Sequence, residues 1–183
     1  MDQSRRVVAS ADEHGRTAFI FDGPVARSLS WTDGGPTALE WVWAGESTPT
    51  IPHDNGDPTL ELTTLFPPGS GSRFFVETFP PGFGCENDEA ATSKAHVDRL
   101  ASIGITAYGP RDSVHNALHA TQTLDYGTVI AGRIDLELSS GDTVTLAAGD
   151  CYVQLGASHA WRNRYELPCK IAFVVIGAYD TAH

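Results

Sequence analysis

The sequence predicts a single all-β domain of the jelly-roll barrel type, with an N-terminal strand extension and one helical insertion. Three observations predict it. From Ala117 onward, short segments alternate apolar and polar residues with period two, and tight turns separate them, as in antiparallel β folds. Eighteen Gly and 11 Pro supply turn residues throughout the 183-residue chain, and a many-stranded fold needs them. Only one stretch, 87–104, has a helical pattern. The length fits one domain with extensions. The division is residues 1–79 as N-terminal strands, 80–115 as a loop and helix insertion, and 116–178 as the barrel segment that carries the chemistry.

In chain order, Arg5 to Ser10 and Thr17 to Asp22 read as two strands around the turn Asp12-Glu13-His14-Gly15. They would extend one sheet or pair with a second subunit. Ala38 to Ala44 is a third strand, with Leu39, Trp41 and Trp43 alternating against Glu40 and Val42. The stretch Glu46 to Pro58 is a loop by its Pro, Thr, Asn and Asp content. Leu60 to Phe66 and Arg73 to Phe79 are two further strands, joined by PPGSGS. In the helix, Asn87, Asp88 and Glu89 suit the N-terminus. Val97, Leu100, Ala101 and Gly104 form its apolar stripe, with Gly104 placed to end it. Beyond it, Arg133 to Leu138 and Thr143 to Leu146 alternate around the hairpin turn Ser140-Gly141-Asp142. Ala148-Gly149-Asp150 turns the chain into Cys151 to Leu155. Lys170 to Gly177 is mostly apolar, as for a strand buried on both faces.

Composition narrows the function. A net charge of −11 with neutral His repels phosphate backbones and anionic membranes, so no nucleic-acid or membrane partner is expected. No apolar run approaches a bilayer span, and the N-terminal segment lacks the apolar core of a secretory signal. The three Cys, Cys85, Cys151 and Cys169, fit neither a disulfide framework nor a zinc knuckle. Cys151 and Cys169 read as small buried hydrophobes, Cys85 as an exposed loop residue. A reducing, cytoplasmic setting is expected. Phosphate-binding loops, dinucleotide fingerprints, Gly-x-Ser-x-Gly and His-Glu-x-x-His are missing from the sequence.

Candidate chemistry lies between His119 and Asn163. His119, Thr121, Thr123 and Asp125 share one parity, as do His159, Trp161 and Asn163; in strands, each set faces one side. Two His and one Asp on neighbouring strands make a metal or acid–base centre inside a barrel. Thr121, Gln154 and Trp161 are expected to line the substrate pocket. Tyr126 and Arg162 have the opposite parity and are expected outside. His96 and His115 are expected in solvent, and His14, His53 and His183 carry no functional expectation.

This segment, roughly 115 to 178, resembles the cupin superfamily. His119 stands at the first His of the first cupin motif, Asp125 at its carboxylate (normally Glu) and Gly132 at its closing Gly, with Thr121 where a second His belongs. Gly149, Gly156, His159 and Asn163 match the second motif; Gln154 replaces its Pro, and the run is one residue short. The resemblance implies a small cupin-like barrel and a homodimer. It implies a divalent ion (Fe, Mn or Zn) held by His119, Asp125 and His159, though the substitutions leave a metal-free site equally open. The expected function is a small-molecule enzyme. His119, His159 and Asp125 would transfer protons in a lyase, dehydratase, isomerase or decarboxylase reaction on a small organic substrate. The alternatives are a non-haem iron dioxygenase and a non-catalytic ligand-binding cupin. A His titrates near neutrality; Asp125 would raise its pKa and burial would lower it. Residues 80–115 would cover the barrel mouth, as a lid or a fixed plug.

Overall fold

The computed structural model describes residues 3–31, 35–36, 38–51, 56–85, 89–108, 113–115 and 117–179, without the side chains of 89–93, 95 and 113–115. Asn87, Asp88, His53 and His183 lie outside the described residues, as does the side chain of His115. The class is all-β. Strands β1 (Arg5–Ala11), β2 (Thr17–Pro24), β3 (Arg27–Leu29), β4 (Leu39–Gly45) and β5 (Ser72–Phe79) precede one helix, α1 (Glu89–Ser102). Then follow β6 (Ser113–His115), β7 (Leu118–Ala120), β8 (Thr123–Ala131), β9 (Arg133–Leu138), β10 (Thr143–Ala147), β11 (Cys151–Leu155), β12 (His159–Arg162) and β13 (Cys169–Gly177).

Two sheets build the body. One has the order β10-β9-β12-β7-β6, the other β11-β8-β13-β5-β4-β3. They face each other as a jelly-roll sandwich and do not close into a continuous barrel. Aromatic rings join them. Trp161 on β12 meets Phe79 of β5 and Phe173 of β13, each with centroids 5.9 Å apart. Phe173 stacks on Phe75 at 5.1 Å. Such rings bury large apolar areas and hold preferred offset or edge geometries.

Two glycines make this packing possible. Gly127 on β8 lies directly opposite Tyr152 on β11, and a Cβ there would collide with the tyrosine ring. The ring fills the gap that the glycine leaves and reaches Trp161 at 5.0 Å. Gly132 turns β8 into β9 at φ +77°, with no room for a Cβ beside the Pro168 carbonyl. Both conformation and contact require glycine there.

Several expected elements differ. Leu60 to Phe66 is not a strand: Pro58–Glu61 forms a 3₁₀ turn capped by Asp57, which accepts from Thr59 N. Only Thr64 makes an isolated bridge, to Thr106. Pro58 at the first position and the Asp cap favour the turn. The N-terminal hairpin β1–β2 extends neither main sheet but forms a sheet of its own. The short strand β3, not expected, pairs with β4 instead. On β4 the register shifts between Trp41 and Trp43, so the expected alternation breaks. On β13 only one face is buried; Val174 and Ile176 are exposed. Cys169 is buried as expected, but Cys151 is exposed and Cys85 half-buried. Gly104, at φ +77°, follows α1 as expected. In the helix stripe Leu100 is buried, whereas Val97 and Ala101 are exposed. Among the described residues, no helix is long and apolar enough to cross a membrane.

Candidate functional site

Between the sheets lies a cavity with an open mouth, lined as small-molecule sites are by apolar and aromatic walls with a few polar groups. Its walls are mainly aromatic and come from both sheets. Its polar groups are Glu77, His96, Tyr108, His119, Asp125 and His159.

His119 and His159 are direct partners across β7 and β12. Their rings stand 4.4 Å apart, centroid to centroid. On its other side β12 pairs with β9, where Leu138 faces His159. A triangle of contacts orients the His159 ring. Nδ1 lies 2.6 Å from the Gln154 amide nitrogen and 2.9 Å from the Ala157 carbonyl, to which Gln154 also donates. Gln154 is buried on β11 and braces this imidazole from behind; it does not line the cavity. Thr121 is likewise buried outside the cavity wall, bonded to the Thr123 hydroxyl at 2.7 Å. Of the three expected pocket residues, only Trp161 lines the cavity.

Asp125 reaches the cavity from the opposite sheet. The chain leaves the first sheet after Ala120 and enters the second at Thr123. His119 and Asp125 therefore do not share one strand face. They meet because both sheets point inward to one interior.

Burial decides the electrostatics. It pushes His119 down to about 3, assisted by the neighbouring His159, and it lowers His159 as well. Desolvation penalises the imidazolium, so both rings are neutral near pH 7. The opposing effect weighed in the sequence, a carboxylate raising the imidazole, does not prevail. Asp125 is itself pushed up by burial to about 6, against a hydrogen bond from Thr123. Among the described residues its Oδ1 has no hydrogen-bond partner.

Three of the polar cavity residues were not anticipated: Glu77, His96 and Tyr108. Glu77 belongs to the inward row of β5 with Arg73, Phe75 and Phe79. As a residue it is half-buried, but its Oε1 is inaccessible to solvent, and it lines the cavity. Burial raises it to about 8, and its Oε1 has no partner among the described residues. The sequence signal was available: an acid inside the apolar run RFFVETF. His96 was expected in solvent. Instead α1 turns it into the cavity wall, its ring 3.8 Å from that of Trp31, and burial lowers it to about 4. No sequence pattern distinguished it. Phe83, Gly84 and Tyr108 of the 80–115 insertion complete that wall.

Arg162, expected outside, is also buried. The loop 82–85 crosses over β12, through Gly82 N to Asn163 O and Asn163 N to Phe83 O. The Arg162 guanidinium donates to the Gly84 carbonyl and to Glu137. Tyr126 is exposed, in line with its parity.

No family model matches the chain. A phomopsin biosynthesis cluster protein C′ from Diaporthe leptostromiformis is 46% identical over 54 residues, 30% of this chain and 29% of that protein. A cupin-domain-containing oxidoreductase (srdD) from Neurospora crassa is 33% identical over 84 residues, 44% and 42% of the two chains. The solved structures similar to this one include a sugar phosphate isomerase of the cupin superfamily from Silicibacter pomeroyi. It has a TM-score of 0.36 and 15% identity over 57% of this chain and 50% of that one. The resemblance is to the cupins. The matches span less than half the length of the two curated relatives.

The likeness to cupin-domain proteins raises the question of a metal. The donor types fit, since two neutral imidazoles and two carboxylates with orphaned oxygens suit a borderline divalent ion. Their spacing does not. Among the described residues no group of three or more His, Cys, Asp or Glu side chains is placed to hold one. The anticipated set of His119, Asp125 and His159 is drawn to one cavity but does not converge on one point. As built, the geometry presents a carboxylate poised to exchange a proton near neutrality, beside two uncharged imidazoles.

Proposed function

We propose that this protein is a small-molecule enzyme of cupin type that moves a proton on an organic substrate held in the aromatic cavity. The observation that carries the reading is Asp125. It is buried, has an unpartnered oxygen and lines the aromatic cavity with a pKa near 6. At pH 7 it is ionised yet more basic than an ordinary carboxylate, which suits a general base. Asp125 removes a proton from carbon next to a carbonyl or hydroxyl. His159, its ring oriented by Gln154 and Ala157, borders the substrate. The neutral His119 relays the proton beside it. The aromatic walls exclude water and orient a planar or apolar substrate. The reaction classes that begin with such a proton abstraction are dehydration and isomerisation. A homodimer in the cytoplasm belongs to the same proposal, on the cupin resemblance and the sparse, unpaired Cys content.

The test is solvent deuterium exchange. Carbonyl compounds with acidic neighbouring C–H bonds are incubated with the protein in heavy water and followed by NMR. Protein-dependent exchange that Asp125→Asn abolishes supports the reading. Exchange unchanged in that variant overturns it.

A second reading, an oxidoreductase using non-haem iron, draws on the relatives named cupin-domain-containing oxidoreductases. Elemental analysis of the wild type, His119→Ala and His159→Ala separates the two. Near-stoichiometric iron that both variants lose, with substrate-dependent oxygen uptake, would favour it. A non-catalytic binding role predicts ligand binding with neither exchange nor oxygen uptake.

A further inference from the structure

The proton-transfer reading leaves Glu77 unused. This residue projects from β5 between Phe75 and Phe79 into the same cavity. Its strand neighbours are apolar, Leu39 across β4 and Ile171 across β13. Oε1 has no partner among the described residues. A buried carboxyl without a partner is costly and points to a group supplied from outside. The other titratable groups around this cavity are Asp125 on β8, Tyr152 on β11, His119 and His159 on the facing sheet, and His96 and Tyr108 from the insertion. No Lys or Arg is among the described residues that line it. The walls include Phe66, Phe75, Phe79, Phe83, Trp161 and Phe173. Such a site has no cation to hold a carboxylate or phosphate group. It has ring faces for a flat ligand and two acids facing inward, Asp125 and Glu77.

We propose that the Glu77 carboxyl donates a hydrogen bond to the carbonyl or hydroxyl oxygen of an uncharged aromatic substrate. This rests on the proposed function for the word substrate, and names that substrate's class. The oxygen sits at Glu77, the ring lies among the phenylalanines, and the reactive carbon faces Asp125. Glu77 stays protonated up to about pH 8, so it acts as donor across the neutral range. Above that it is an anion and repels the same oxygen. His119 and His96 titrate far below this window, Asp125 does so near 6, and burial holds Tyr152 well above its ordinary value.

The experiment is calorimetric titration of the full chain with three matched probes: acetophenone (uncharged), benzoate (anionic) and benzylamine (cationic). Wild type is expected to bind acetophenone at least tenfold more tightly than either charged probe. Its affinity for acetophenone is expected to fall about thirtyfold between pH 7 and 9.5, as the neutral acid is depleted. Glu77→Gln, which keeps a donor and cannot ionise, is expected to bind with no pH dependence. Glu77→Leu is expected to lose at least tenfold at pH 7, with folding checked by circular dichroism. A flat wild-type pH profile, equal or tighter binding of a charged probe, or no binding of acetophenone overturns the inference. If Glu77→Leu does not fold, the Glu77→Gln profile decides alone. Failure of the catalytic reading looks different: the binding pattern holds, but no compound exchanges deuterium. Exchange confined to charged substrates, with flat acetophenone binding, sinks this inference and leaves catalysis standing.

Discussion

Asp125 and Asp135 are the same residue type, on consecutive strands, and almost equally buried, at 6% and 7% exposed. Their electrostatics are opposite. Asp135 accepts from the Thr145 hydroxyl at 2.8 Å, the Tyr165 hydroxyl at 2.8 Å and Arg164 at 2.9 Å. Burial pushes it up, but those hydrogen bonds outweigh burial and hold it below its ordinary value. Asp125 has a single opposing hydrogen bond, from Thr123, and burial carries it to about 6. Nearby Glu137 and cavity Glu77 repeat the contrast. Glu137 pairs with Arg162 and Arg164 and is lowered; Glu77 has an orphaned oxygen and is raised. Two things separate a structural acid from a reactive one here: the supply of donors, and the depth of the carboxyl group, since Asp125 and Glu77 face the interior between the sheets whereas Asp135 and Glu137 lie beside the exposed Arg164.

The strongest way to break this comparison is to neutralise each Asp. Asp125→Asn is expected to lower turnover about 10²- to 10⁴-fold, the usual worth of a positioned base, with the fold intact. Steady-state rates alongside circular dichroism check it. Asp135→Ala is expected to do the reverse. It removes three hydrogen bonds whose donors, Thr145, Tyr165 and Arg164, are exposed or half-buried, and destabilises by about 1–2 kcal/mol, read in urea unfolding, with the catalytic groups in place. Equal stability losses in the two variants would refute the distinction.

Acid titration sharpens it. In the unfolded chain Asp125 titrates near 3.8, and in the fold near 6. Between those values the native state holds the extra proton, so raising the pH through this window removes stability, up to about 3 kcal/mol. Asp125→Asn should therefore gain on wild type from pH 4 to 6 and level off above. Asp135 works the other way. Its contribution is complete above 3.8 and is lost as the pH falls through its lower folded value. The gap between wild type and Asp135→Asn should shrink only in strong acid.

The smallest effect expected is at Thr123. Its hydroxyl favours the ionised form of Asp125. Thr123→Val should raise the acid limb of the pH–rate profile by less than about one unit, leaving the plateau rate within about twofold. A limb moving to lower pH would refute the assignment.

Sequence pattern read the strands of the second half well. Alternation fixes that Ile134 and Leu136 of β9 face inward, because one buried face enforces period two, whereas the apolar run of β13 suggested two buried faces and only one is buried. The turn at Gly132 was legible for the same local reason, a backbone conformation that only glycine adopts freely. His119, His159 and Asp125 were nominated from motif context, and the structure draws them to one cavity. The pocket roles of Thr121 and Gln154 were not legible correctly. Parity says which side a residue faces and nothing about what already stands there. Arg162 shows the same limit: its outward face is covered by a loop from residues 82–85, distant in sequence.

The sequence by itself determined the all-β class, the helix between the N-terminal strands and the barrel segment, and the turns at Gly132 and Ser140-Gly141-Asp142. These follow from local sterics and hydrophobic periodicity, which act within a few residues. Only the tertiary structure decided that Glu77 and His96 share the cavity with the histidine pair. It alone decided that burial outweighs any carboxylate effect on His119, and that Asp125 stands without the donors that surround Asp135. Those outcomes depend on desolvation and on partners brought from far along the chain, and both exist only once the sheets have packed.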